Sequence, residues 1–213
     1  MSWCTRALFS SIGKKAMMAL TGLCFCGFLV MHLLGNLSLY AGKEAFNGYA
    51  EKLHSLGELL KVAEMGLLVF AIIHVAFGLT LFLQNRSARP NRYAVNKSAG
   101  GRTIGSATMP YTGLFLIAFV VFHLINFHFI EKIDTTIYDI VVTAFQHTGY
   151  VLFYVLAMVV LAIHVSHGIW SAFQTLGANH PKYMPFIRNA AIVFSILMVL
   201  GFGSLPIYIS LMV

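Results

Sequence analysis

The sequence predicts an all-α integral membrane protein, a bundle of five helices forming one domain over residues 1–213. Three observations predict it. Hydrophobic residues make up 59% of the chain and charged residues only 10%, where a soluble domain carries about 25% charged. Apolar runs recur at about 16–40, 62–84, 110–130, 149–173 and 190–212, each at least as long as the roughly 20 residues that cross a hydrocarbon core as α-helix. The few charges are sorted by sign to alternate ends of those runs.

The first run follows Arg6, Lys14 and Lys15, as the apolar region of a cleaved signal peptide would. It is longer than the roughly 7–15 residues of such a region, so it is predicted to remain as the first helix. Cys24 and Cys26 fit there as small apolar fillers, and with Cys4 on the reducing side no disulfide pattern emerges. The connection to the second run carries Lys43, Glu44, Glu51, Lys52, Glu58 and Lys61 and reads as a polar loop; Glu64 blurs the start of the second helix. Gln84 to Met109 is the longest connection, Gly/Ser-rich and basic through Arg86, Arg89, Arg92, Lys97 and Arg102. After the third run come Glu131, Lys132, Asp134 and Asp139, and between the fourth and fifth Lys182 and Arg188.

Cytoplasmic loops gather Lys and Arg, which predicts the N-terminus inside and the C-terminus outside, with every acid outside. The same rule accounts for the net charge of +7, so no nucleic-acid partner is expected. The basic inner loops could dock an acidic partner. No connection is long enough to form a catalytic domain.

Of nine histidines, six fall in predicted helices: His32, His74, His123, His128, His164 and His167. The first four helices each hold at least one and the fifth holds none. Ionisable groups inside a bilayer are costly and mark function by default. At 1.5 Å per residue, His32 lies about 6 Å to the outer side of its helix's middle and His123 about 4 to 5 Å, so they share a level. His164 is displaced to the inner side, and by elimination pairs with His74, near the middle of the second helix.

Two histidines at one depth on facing helices can be the axial ligands of a haem, since neutral imidazole binds iron through one nitrogen and donates the other N–H. Gly35, Gly78 and Gly168 stand three or four residues after His32, His74 and His164, leaving room on each ligand's face. Without a C-x-x-C-H motif, haem would be held non-covalently. A lone intramembrane histidine is more often a hydrogen-bonded bundle residue or part of a proton path. Four on four successive helices in two depth classes point to two haems, with a transporter or proton channel as the alternative.

The stretches SSIGKKAMMALTGL, FLVMHLLGNLSLYAG, NGYAEKLHSLG, IIHVAFGLTL and HVSHGIWSAFQTLG resemble the five-helix, two-haem cytochrome b subunit of succinate:quinone oxidoreductases and quinol:fumarate reductases. The resemblance covers nearly the whole chain and rests on the ordered set of histidine motifs. It implies two haems b, His32 with His123 for the outer and His74 with His164 for the inner, with His167 in the haem environment. It also implies a quinone, most often menaquinone, near the outer haem, for which Asn36, Tyr49, Glu51 and His54 are candidates. A flavoprotein and an iron-sulfur subunit would bind the cytoplasmic face of a bacterial or archaeal membrane, making the chain the electron-transfer anchor of succinate dehydrogenase or fumarate reductase. Some family members carry a proton-conducting glutamate two residues before the fourth ligand; Ala162 stands there in this chain. Cytochromes b of hydrogenase or formate dehydrogenase type are the alternative within electron transfer.

Overall fold

The computed structural model describes residues 2–88, 103–130 and 134–212, so Arg89, Arg92, Lys97, Arg102, Glu131 and Lys132 lie outside the described residues. All the regular structure described is helical, and five helices are long and apolar enough to cross a membrane.

A short helix α1 (Trp3–Phe9) precedes α2 (Ser11–Asn36). The break between them is local chemistry: the Ser10 hydroxyl accepts from the Gly13 N–H at 3.0 Å and caps α2. α2 tightens into a 3-10 turn, Leu37–Ala41. Gly42 at φ 90° then redirects the chain into α3 (Lys43–His54). The connection read as a loop is therefore largely an amphipathic helix, and His54 is its last residue. α4 (Glu58–Ser87) begins after Gly57 and takes in Glu64, starting four residues before the expected 62.

α5 (Ile104–His123) also starts earlier than its apolar run, because Thr103 and Ser106 form a reciprocal capping box ahead of Pro110. Its far end is shorter than expected. The α-helix stops at His123 and continues as a π-helical turn, Leu124–His128, leaving His128 exposed and 4.0 Å from Glu64. α6 (Ile137–Phe145) is capped by Thr136 and Asp139 in the same reciprocal way as α5. α7 (Thr148–Thr175) and α8 (Met184–Met212) complete the chain, the latter reaching six residues further back than the expected 190.

α7 occupies the middle of the bundle, packed on α8, α5 and α2, and α2 carries α4 on its other side. Outward faces are apolar throughout, as at Leu68, Val69 and Ile72 of α4 and Ile196, Leu197 and Leu200 of α8. Lipid tails rather than water satisfy such surfaces, and the helices meet the backbone hydrogen-bond demand internally. The buried core gathers at one end, where Leu39, Phe46, Val141 and Phe145 close over Phe119, Tyr154, Leu205 and Ile209. There α3 and α6 form a cap. Lys43 grips both Asp139 oxygens at 2.8 Å, and the Asn47 side-chain oxygen accepts from the Tyr138 N–H at 3.2 Å.

Candidate functional site

Four of the six intramembrane histidines meet in two cross-helix pairs. His32 on α2 faces His123 on α5 with ring centres 5.9 Å apart, and His74 on α4 faces His164 on α7 at 6.5 Å. Tyr154, which contacts His123, and His164 lie ten residues apart on α7. Gly22, which contacts His74, and His32 lie ten residues apart on α2. Both counts put the pairs on levels about 15 Å apart.

The second pair is oriented by threonines. Thr112 Oγ1 lies 3.1 Å from His164 Nδ1 and equally 3.1 Å from the Thr108 and Met109 carbonyls. Thr21 donates to the Met17 carbonyl at 2.7 Å. The Met18 carbonyl, which like Thr21 Oγ1 is 3.2 Å from His74 Nδ1, requires an Nδ1–H there. His74 is thereby set as the Nδ1–H tautomer with its Nε2 lone pair free. This is the form in which a histidine ligates a metal while its second nitrogen is held by a neighbour.

The first pair sits among aromatics. His32 stacks on Phe28 at 5.2 Å and lies 5.6 Å from Phe202, while His123 stacks on Phe119 at 5.9 Å and meets Phe127 at 5.4 Å. Its Nδ1 is 3.3 Å from the Tyr154 hydroxyl. On the other side Asn36 Nδ2 donates to the His32 carbonyl at 2.8 Å and stands 3.5 Å from His32 Nε2.

Among the described residues there is no group of three or more His, Cys, Asp or Glu side chains able to hold a metal ion, so the histidines act as twos. A tetrahedral zinc site needs more protein donors than that. Two imidazoles sharing one metal through bonds of about 2 Å stand with ring centres roughly 6 Å apart, and both pairs match that spacing.

No family model, curated protein or solved structure matches the chain.

The residues expected to surround the histidines divide. A Cβ on Gly78 or Gly168 would find open space, apart from Met18 Sδ at 4.0 Å from the former, so both leave room beside the second pair's helices. Gly35 does not leave such room, because the Tyr49 ring fills the face it opens. His167 is separate from the pairs. It lies 3.5 Å from the Thr103 hydroxyl and edge-on to Trp170 at 4.8 Å, with the Arg188 guanidinium 4.6 Å from the far ring's centre. Of the quinone candidates, Asn36 and Tyr49 adjoin the His32 segment. Glu51 is exposed on α3, two residues and so about 200° around the helix from Tyr49. His54 is exposed too, its Nδ1 2.7 Å from the Ala50 carbonyl.

Sequence reasoning missed Thr21, Gly22, Thr112, Gly113 and Tyr154. A signal existed for four of them: Thr-Gly-Leu occurs at Thr21 to Leu23 and again at Thr112 to Leu114. Each threonine binds an imidazole, and each adjacent glycine lets the same ring approach, at 3.2 Å from His74 Cε1 and 3.5 Å from His164 Cε1 for an added Cβ.

Proposed function

We propose that the chain is the dihaem cytochrome b membrane-anchor subunit of a succinate:quinone oxidoreductase or quinol:fumarate reductase. It passes electrons between a quinone pool, menaquinone by resemblance, and an iron-sulfur subunit. The observation that carries the reading is the two histidine pairs at axial-ligand spacing on two levels, with His74 of the second set as the ligating tautomer.

The residues present fit haem. His32 with His123 would hold one and His74 with His164 the other, each supplying a one-electron carrier when bound. Thr112, Thr21 and the Met18 carbonyl orient the second pair. Phe28, Phe119 and Phe202 keep water from the first. The cap of α3 and α6 covers the level of His32 and His123, and at this end we place the quinone, with Asn36 and Tyr49 as the polar groups next to the pair. Glu51 and His54, on the exposed side of α3, are suited to proton exchange with water rather than to the head group itself.

The opposite end gathers basic residues, Arg6, Lys14, Lys15, Arg86, Lys182 and Arg188, with no acid. By the positive-inside rule we place it in the cytoplasm of a bacterial or archaeal cell, as the docking face for the iron-sulfur and flavoprotein subunits that perform the dicarboxylate chemistry.

The test is spectroscopic. The purified chain is expected to show a b-type band in the reduced-minus-oxidised spectrum, and pyridine haemochrome quantification is expected to give two haems per chain. Colourless protein would leave a histidine-lined transporter or a haem-free anchor. Succinate oxidation and fumarate reduction by the purified complex, with menaquinone and ubiquinone analogues, separates this cytochrome from the hydrogenase and formate dehydrogenase kinds.

A further inference from the structure

Lys14 is 8% exposed, the most buried charged side chain described, and its ammonium is 3.1 Å from the Gln84 side-chain oxygen. A buried charge is tolerated when an opposite charge meets it, and a neutral amide is not one. Among the described residues no carboxylate meets it. All seven acids lie between residues 44 and 64 or between 131 and 139, and the nearest along α4, Glu64, is 20 residues or roughly 30 Å from Gln84.

The face of α2 that carries Lys14 also carries Met18, Thr21, Gly22 and Phe25, at successive spacings of four, three, one and three residues. All four touch or adjoin His74. Lys14 is therefore about 12 Å along the helix axis from Gly22 at the level of the second pair, and its bond to Gln84 turns it toward the same space between α2 and α4. A bilayer phosphate would meet a lysine on the outer surface, whereas this one is covered.

We propose that Lys14 is the counter-cation of a carboxylate carried on the rim of the group held between His74 and His164, and that it raises the reduction potential of that centre alone. The inference rests on the functional reading above. A cation near a redox centre favours its reduced, less positive form, and the pair about 15 Å further on lies beyond most of its influence.

The experiment is a redox titration of the full-length chain, followed in the visible band, for the wild type, Lys14→Met and Lys14→Arg. Lys14→Met is expected to keep two haems and to lower one component's reduction equilibrium about tenfold, 59 mV for a one-electron couple, leaving the other in place; Lys14→Arg restores it. With haem whose propionates are methyl esters, which removes the carboxylates from both centres, Lys14→Met is expected to shift that component much less than it does with ordinary haem. Lys14→Gln, which keeps a hydrogen-bonding side chain beside Gln84 but no charge, decides the question if Lys14→Met fails to fold.

Potentials unchanged on removing the Lys14 charge overturn the proposal, as does an equal shift of both components on that substitution or an undiminished shift with the esterified haem. A shift that appears only in nanodiscs containing anionic phospholipid overturns it in favour of a lipid phosphate. Two haems indifferent to Lys14 refute this inference alone; a wild-type chain without haem refutes the functional reading as well.

Discussion

His164 and His167 sit three residues apart on one helix, yet only His164 faces another helix's histidine, while His167 lies against Thr103 at the start of α5 and against Trp170 of its own helix. In the proposed function His164→Ala is therefore expected to remove one of two haems and His167→Ala to keep both, measured as haem per chain. The Thr112 hydroxyl gives a finer probe. It stands 3.1 Å from His164 Nδ1, and outer-shell partners of this kind typically contribute 10- to 100-fold to metal retention. Thr112→Val keeps the volume and removes the hydroxyl, so it should weaken the proposed α4–α7 centre by about that factor and spare the other, whereas Thr112→Ser should behave as the wild type. Equal retention in Thr112→Val and wild type, after washing in detergent, would show that the ring is oriented by something else.

At the scale of elements, close helix approach decides where a methyl group can be added. A Cβ on Gly105 would lie 2.7 Å from His167 Cβ and 3.2 Å from the Ile163 carbonyl, so Gly105→Ala must push α5 from α7. One on Gly113 would make ordinary contact, 3.5 Å from His164 Cε1. Gly105→Ala is expected to lower stability by about 1–3 kcal/mol and Gly113→Ala to be tolerated, as read by thermal loss of the visible band.

The cap of α3 and α6 offers a pH test. The Lys43 ammonium, hydrogen-bonded to Asp139, holds that carboxyl below its ordinary value of 3.8, with Thr136 adding to the effect. The folded value lies below the unfolded one, so the contribution is present above pH 3.8 and is lost as the pH falls through the folded value. In Asp139→Asn this acid dependence should flatten, a difference visible in the near-ultraviolet dichroism of Tyr138 and its neighbours during acid titration. The surface position makes the effect small and salt-sensitive.

What could be read in the sequence follows the same division. The five spans are legible because bilayer crossing demands length and apolarity, and both are one-dimensional properties. The ends of α4, α5 and α8 are not, since capping and amphipathic first turns extend a helix past its apolar run, as Thr103 and Ser106 do for α5. α3 and α6 look like loops because a short helix lying on a bundle end mixes charge with apolar residues. The levels of the histidines are legible by counting along each span. Rotation about the helix axes is not, since a span that is apolar all round gives no preferred face; hence Thr112 and Tyr154 escaped notice, and Gly35 was read as room for a ring where Tyr49 fills it.

For the whole molecule, the decisive quantity is how far charge moves across the bilayer. In the proposed function, quinone reacts at the end capped by α3 and α6 and electrons leave at the basic end, through two levels about 15 Å apart along the helices. Moving charge across the membrane potential costs or releases about 2.3 kcal/mol per elementary charge per 100 mV, unless a proton crosses with each electron. In the resembling family such a proton can travel on a glutamate two residues before the fourth ligand, but here Ala162 occupies that position and α7 contains no acid from Thr148 to Thr175. The only carboxylates within the described spanning helices are Glu58 and Glu64, both at the cap end of α4, where they cannot relay a proton past the second pair. Turnover is therefore expected to be electrogenic: quinol-driven fumarate reduction should build a potential and succinate-driven menaquinone reduction should consume one. In sealed liposomes containing the whole complex, a voltage-sensitive dye should respond with opposite sign in the two directions and with equal charge per electron. A silent dye during normal turnover would mean that protons cross by a route without carboxylates, or that quinone reacts at the basic end; loss of quinone turnover in Asn36 and Tyr49 variants, both at the capped end, would indicate the first of these and full turnover the second.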